Sequence, residues 1–331
     1  MRVGIASPPL VPTPPSGYGG IERLTYYLAL GLEQLGHEVV LFAAPGSHRP
    51  KSGELITATT EYHIGELATK ALRSERIDVL ADWTHTKSPS WRSLAEGVAR
   101  RAISMVFYTD ALGPTINVFP SFAVRRQMDA SDSAPVIPPG IDVVSLMQHA
   151  RREKEDYFVF FSRIIPEKGV ERAISVARRA HVKLYVAGHT GEFAYDKQYV
   201  EKIKSMCDGE QIIWVGDVDE KQKIELLSHA RGLIYWSKWL ESFGIFIVEA
   251  LALGTPCVVN SDSGGPAEMV INGHTGFVCS TIHDFVEAVR LLKVDDSFIK
   301  PDKCIERAMF YHYTRMAAQW DELMREVVER A

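Results

Sequence analysis

Short apolar runs alternate with amphipathic stretches along this chain, and they do so in two successive series. Residues 2–6 read as a strand, residues 21–35 carry apolar side chains at helical spacing, Gly36 and His37 end that helix, and residues 39–43 return as a strand. A strand, a helix and a strand in that order make a unit whose strands run parallel, so the sheet must be covered on both faces. Residues 77–81 and 103–108 read as further strands of this first sheet. The stretch Ser131 to Asp142, with Pro138-Pro139-Gly140 inside it, punctuates the chain, and a charged segment, residues 151–156, follows. A second series then begins, with strands at 157–161, 182–187, 212–215, 232–235 and 256–260 and a helix at 170–180. The expected fold class is therefore α/β, with two doubly wound, Rossmann-like domains over 1–142 and 143–312. Ligands of such sheets sit at the carboxyl ends of the strands.

The 331 residues suit two domains, and a content of 46% hydrophobic and 24% charged residues suits globular cores. A net charge of −5 argues against a nucleic-acid partner. Cys207, Cys257, Cys279 and Cys304 are far apart and show no paired spacing, so neither a zinc site nor a disulfide framework is expected. The N-terminus lacks the apolar run of a signal peptide, and no run of about 18 apolar residues is present to span a membrane. A cytoplasmic location is the expectation, with peripheral membrane contact left open.

Four segments carry chemistry. Gly17-Tyr18-Gly19-Gly20-Ile21-Glu22 lies between the first strand and the first helix, where glycines let a backbone approach a phosphate and the helix N-terminus offers free N–H groups. Its spacing is neither GxGxxG nor a Walker loop, which disfavours a nicotinamide dehydrogenase or a P-loop enzyme. An ordinary glycine turn is the plainer alternative. Arg163 and Lys168 follow the strand at 157–161, where two cations can clamp a diphosphate or simply be solvated loop residues. Glu241-Ser242-Phe243-Gly244 leads into a helix apolar on nearly every face, in which Glu249 is the lone charge. A buried carboxylate needs partners, and either a ribose diol or backbone groups would satisfy it. Ser261 to Glu268 is a further glycine-bearing switch from strand to helix.

Taken together these segments resemble the retaining glycosyltransferases of family 4, which have the GT-B fold. Gly17 to Glu22 with Leu28 to Val39 resembles the family's N-terminal loop and helix, and Val136 to Asp142 resembles its linker, with Pro139 where Asn is usual. Phe161 to Gly169 resembles its basic loop, Glu241 to Glu249 its E-x7-E motif, and Gly254 to Glu268 with Gly273 to Phe277 its closing region. The resemblance covers the C-terminal half almost throughout and the N-terminal half at its two ends.

It implies two Rossmann-like domains facing one another, with a C-terminal helix, about residues 313–331, packed back on the first. It implies transfer of a hexose with retention of configuration, no cofactor and no metal. The partners would be a nucleotide-sugar donor, UDP-glucose first and GDP-mannose or an ADP-sugar next, and an acceptor that is a sugar, a lipid or a small metabolite. Arg163 and Lys168 would hold the diphosphate, Glu241 the transferred sugar, Glu249 the ribose, and the N–H groups near Phe243 and Gly244 sugar and phosphate. Gly19 and Gly20 would lie against the diphosphate, and the segment to Val218 would hold the base. The chain departs from the family where a mid-domain His is usual. Asp110 stands near that position and His85 ends the preceding strand, so either is a candidate to touch donor sugar or acceptor. The N-terminal domain is also shorter than the family's. A nucleotide-sugar epimerase and a non-catalytic nucleotide-sugar binder are the competing readings.

Overall fold

The computed structural model describes residues 1–17, 19–191, 196–295 and 298–331, and Tyr18 of the glycine loop lies outside the described residues. The chain divides into two compact units, residues 1–142 with 311–331 and residues 143–310.

The first unit is built on six parallel strands: β1 (Arg2–Ala6), β2 (Glu38–Ala43), β3 (Glu54–Thr57), β4 (Val79–Asp82), β5 (Ala102–Met105) and β6 (Ile116–Val118), in the order β3-β2-β1-β4-β5-β6. The chain runs outward on one side of β1, then returns to its other side to lay down β4. The order thus reverses between β1 and β4, and a crevice opens at their carboxyl ends. The central strands are apolar on both faces, as a doubly covered parallel sheet requires: Val3, Ile5, Val79, Leu80 and Ile103 are all fully buried.

The C-terminal helix, Tyr313–Arg330, belongs to this unit and packs on the first helix, Gly20–Gln34. The fit is close. A Cβ on Gly31 would stand 2.5 Å from Ala317 Cβ, Tyr27 stacks on Tyr313 at 5.6 Å, and Gln34 Nε2 donates to Tyr313 Oη at 2.8 Å. Trp320, fully buried, meets Trp83 at 5.7 Å between ring centres. These aromatic contacts tie the chain's end to the carboxyl end of β4.

The second unit repeats the plan with β7 (Glu155–Phe161), β8 (Leu184–Ala187), β9 (Ile212–Gly216), β10 (Ala230–Tyr235), β11 (Cys257–Asn260) and β12 (Gly276–Cys279), in the order β12-β11-β10-β7-β8-β9. Its reversal lies between β7 and β10. Sequence patterning places nine of the twelve strands among the described residues; β3, β6 and β12 escape it, each being three or four residues long with at least two residues only half-buried. The strand expected at 103–108 ends at Met105, because the chain turns over residues 108–110 to bring Asp110 N–H onto Phe107 O at 3.0 Å. The strand expected at 77–81 begins instead at Val79, since Ile77 N–H is held by Ala71 O and Asp78 receives Arg2 N–H through its carboxylate.

Lys154 is a polar exception in the second core. Its Nζ donates to Ser228 O at 2.7 Å, Leu253 O at 3.2 Å and Thr255 Oγ1 at 2.9 Å, with no carboxylate among these partners. Burial pulls its pKa down to about 8. Because that lies below the unfolded value, the unfolded chain binds the extra proton between about pH 8 and 10, and stability rises with pH across that window. The difference in unfolding free energy between the wild type and Lys154→Met is therefore expected to shift toward the wild type by up to about 3 kcal/mol from pH 7.5 to 10. Denaturant titrations of both proteins at each pH check this, and a pH-independent difference would refute it.

Candidate functional site

In the second unit the loops after β7, β10 and β11 are bound to one another through their backbones. Lys238 N–H donates to Glu167 O at 2.8 Å, joining the first two loops. Glu241 N–H donates to Ser263 O and Gly265 N–H to Glu241 O, each at 2.8 Å, joining the second and third. Asn260 clasps Ser237, accepting from its N–H at 3.0 Å and donating to its carbonyl at 3.1 Å. Glycines are needed where these loops touch. Gly169 has φ +74°, and a Cβ there would lie 1.8 Å from Trp236 O; a Cβ on Gly265 would lie 2.4 Å from Phe243 O.

The result is a cluster at the strand reversal. Lys168, 5% exposed at the end of the turn Pro166–Lys168, donates through Nζ to Glu241 Oε2, and Tyr235 Oη donates to the same oxygen at 3.1 Å. Burial pushes the Glu241 carboxyl up, but Lys168 beside it, aided by Tyr235 and Arg163, outweighs this and holds it below the usual carboxylate range. The carboxylate is therefore anionic at neutral pH. Arg163 is half-buried and close enough to act on Glu241 and Tyr235. Phe243 is 3% exposed, and Gly244, at φ +92°, caps the helix Ile245–Ala252, whose first N–H groups open toward the same region.

Glu249, on that helix, is buried among apolar neighbours, as its sequence context implies. Its partner is one that sequence reading missed. Lys223 Nζ donates to Glu249 Oε1 at 2.7 Å and to Glu220 at 2.9 Å. Lys223 is 7% exposed and 26 residues away in sequence, and nothing in its own helix, which is mostly polar, marks it out. Val218 follows β9 and Gly216, half-buried, one residue before the cap of that helix. Trp236 is stacked on Phe285 at 4.5 Å and 7°, whereas Trp239 is 38% exposed.

The first unit gathers its own cluster at its own reversal. Gly19, at φ +147° and buried against Pro15 and Val11, caps the helix that Gly20 opens. His85 follows β4, and Asp110 lies beyond β5. The structure brings together the two residues between which sequence reading left the choice open: His85 Nδ1 is 2.8 Å from Asp110 Oδ1. Asp110 Oδ2 accepts from Lys87 Nζ at 3.0 Å and from Phe107 N–H at 3.1 Å. Lys87 is fully buried and sits in the left-handed region at φ 54°, where it caps the next helix. Its position, two residues past His85, is the only sequence hint it gives. The hydrogen bond to Asp110 raises the His85 pKa, against the opposing effect of burial. Beneath them Asp82, fully buried, accepts from Thr84 and Ser90 through both backbone and side chain, and burial raises its pKa. Among the described residues no group of three or more His, Cys, Asp or Glu side chains is gathered as a metal site would need.

Comparison with known proteins fits this geometry. Residues 146–309 match the family model described as Glycosyl transferases group 1. The chain is 26% identical over 342 residues to the glycogen synthase of Mycobacterium tuberculosis, covering 81% of this chain and 80% of that one. It is 24% identical over 210 residues to a probable sucrose-phosphate synthase of Thermosipho melanesiensis, covering 60% of this chain but only 47% of that one. The crystal structure of AviGT4, a glycosyltransferase involved in avilamycin A biosynthesis, superimposes with a TM-score of 0.80 over 100% of this chain and 99% of that one, at 26% identity. The two six-stranded parallel sheets, the matched second unit and the full-length likeness to a solved glycosyltransferase together support a glycosyltransferase of the GT-B fold.

Proposed function

We propose that the chain transfers a hexosyl group from a nucleotide-sugar donor, UDP-glucose first, to an acceptor hydroxyl, with retention of configuration and without a metal ion. The observation that carries this reading is the Lys168–Glu241–Tyr235 cluster at the reversal between β7 and β10, beside the N-terminus of Ile245–Ala252. An ammonium has three donors, so Lys168 can bind a phosphate oxygen while keeping Glu241. Arg163 adds a second cation. These charges and the helix N-terminus stabilise the diphosphate as it leaves, the place where negative charge grows.

Glu241, ionised and acceptor-only, takes hydrogen bonds from hydroxyls of the transferred sugar and favours positive charge developing at its anomeric carbon. Glu249 Oε1 is neutralised by Lys223, and Oε2 is the atom with which it accepts from a ribose diol. In the step itself the bond from the anomeric carbon to the phosphate oxygen breaks. The acceptor oxygen bonds to that carbon on the same face, and its proton passes to the departing phosphate. His85 and Asp110 act as one unit on the substrate: Asp110, anchored by Lys87, fixes Nδ1 and leaves Nε2 to meet a hydroxyl.

Binding is tested by thermal shift with UDP, GDP, ADP, their sugars and NAD⁺. A ligand of the folded state at about 100 times its Kd stabilises by about 2.7 kcal/mol. A shift with UDP or UDP-glucose is expected, and a shift with NAD⁺ alone would sink the reading. In the Lys168→Ala variant, turnover of UDP-glucose is expected to fall about 10²- to 10³-fold, the usual cost of losing one donor to a developing anion. Turnover unchanged in a variant with the wild-type circular dichroism removes Lys168 from the mechanism. Activity is expected to survive EDTA; a loss restored by Mg²⁺ or Mn²⁺ would show that metal supplies the charge instead.

A further inference from the structure

Lys168 and Glu241 follow β7 and β10, at the carboxyl end of the second sheet. Another concavity of the same unit opens at the opposite end of those strands. It is a groove of about 760 Å³, walled on one side by residues 148–151, which lead into β7, and on the other by one face of the helix Glu220–His229, which leads into β10. Lys154 ties the two walls together: it lies three residues past Arg151, and its Nζ donates to Ser228 O on the helix at 2.7 Å. Arg151 O lies where a Cβ on Gly254, just before β11, would come within 3.5 Å of it. The groove therefore sits toward the amino ends of β7, β10 and β11. Doubly wound sheets hold their usual ligands at the carboxyl ends, so the groove is separate from the donor cluster. A cavity of this size takes a ligand as large as a substituted monosaccharide.

The side chains on its walls decide the chemistry. Arg151 stands on one wall and Lys221 on the other, and among the described residues no carboxylate pairs with either. This sets them apart from Lys168 and Lys223, each of which has its own carboxylate. Two carboxylates also line the groove. Glu220 is already taken by Lys223 at 2.9 Å, and Glu225 has no side-chain donor among the described residues. An anion in the groove thus gains from a cation on each wall. A phosphate monoester suits this: it concentrates up to two charges in one group and offers three acceptor oxygens, enough for the Arg151 fork and the Lys221 ammonium together. A second anionic group elsewhere on the ligand would meet Glu225, whereas a hydroxyl would donate to it. Ile224, half-buried between Lys221 and Glu225 on the helix, gives a carbon skeleton an apolar surface to lie on.

We propose that this groove binds a phosphate monoester of a sugar or polyol, with its phosphate held by Arg151 and Lys221 and a hydroxyl donating to Glu225. The site is additional to the donor cluster and does not rest on the transferase reading.

The test is titration calorimetry on the full chain with ribose 5-phosphate, ribose, inorganic phosphate and succinate as probes. Ribose 5-phosphate is expected to bind more tightly than the other three. Its affinity should fall about tenfold in Arg151→Ala and in Lys221→Ala, as for loss of a hydrogen bond to a charged group, and survive in Lys221→Arg, which keeps the charge. Both positions are exposed, so the variants are expected to fold, and a UDP thermal shift matching the wild type reports that the donor cluster is untouched. Lys168→Ala is expected to leave ribose 5-phosphate binding as it is. Binding lost in Lys168→Ala but kept in Arg151→Ala and Lys221→Ala would place the phosphate in the donor cluster and overturn the proposal. So would no binding at all, or succinate or inorganic phosphate bound as tightly as ribose 5-phosphate. Absence of any UDP shift in the wild type, with ribose 5-phosphate binding intact and dependent on Arg151, would overturn the donor reading and support this site alone.

Discussion

The backbone of residue 241 is held from two sides, its N–H by Ser263 O and its carbonyl by Gly265 N–H. That short stretch of strand-like pairing, made outside the sheet, fixes the loop after β10 against the loop after β11. Lys238 N–H to Glu167 O does the same toward the loop after β7. A side chain on a free loop would sample many positions, and ordering it on binding would cost conformational entropy each time. Here hydrogen bonds within the protein itself tie the loops together. The cost is taken at folding, and it depends on glycines 169, 264 and 265, where added Cβ atoms would collide with backbone oxygens.

Charge burial follows a consistent rule in both units. Lys87, Lys168 and Lys223 are each nearly or fully buried, and each donates to a carboxylate that is itself buried or partly so: Asp110, Glu241 and Glu249. Such pairs seldom add much net stability, because desolvation of both ions offsets their attraction, but removing one partner leaves the other stranded and is strongly destabilising. What they do add is geometry. A carboxylate clamped by an ammonium points one oxygen inward and keeps a defined direction for the other. Lys154 shows the alternative, an ammonium held among the described residues by two carbonyls and a hydroxyl, and burial without a carboxylate among these partners pulls its pKa down.

The sequence made the parallel series legible because a strand covered on both faces is a continuous apolar run, and these runs are easy to see at 2–6, 39–43 and 157–161. The edge strand β3 carries no such run: it reads Glu-Leu-Ile-Thr, with every residue half-buried or exposed. The acids of the second site were legible for a related reason. Glu249 is the lone charge in an apolar helix, and Glu241 stands at a fixed interval before it. The pairing of these acids with lysines was not. Lys223 lies 26 residues from Glu249 and Lys168 lies 73 from Glu241. Lys168 is singled out by its place after a strand, whereas Lys223 sits in a polar helix beside Lys221. Partners separated so widely are brought together only by the strand order, which local patterning does not specify.

The first unit shows the same limit from the other direction. Asp110 and His85 each looked like a possible stand-in for one missing histidine, as though only one position were to be filled. Adjacent strands β4 and β5 place their loops side by side, and Ala111 N–H to His85 O, at 3.3 Å, stitches those loops together. The choice between them therefore dissolves into a pair with divided labour, one ring exposed and one carboxylate buried behind it. A histidine alone would be free to flip and to choose its tautomer. With Nδ1 bonded to a carboxylate that is itself pinned by Lys87 and Phe107 N–H, the ring has one orientation and one outward nitrogen. The buried lysine, invisible to any motif, is what gives the outward nitrogen of the histidine a fixed direction.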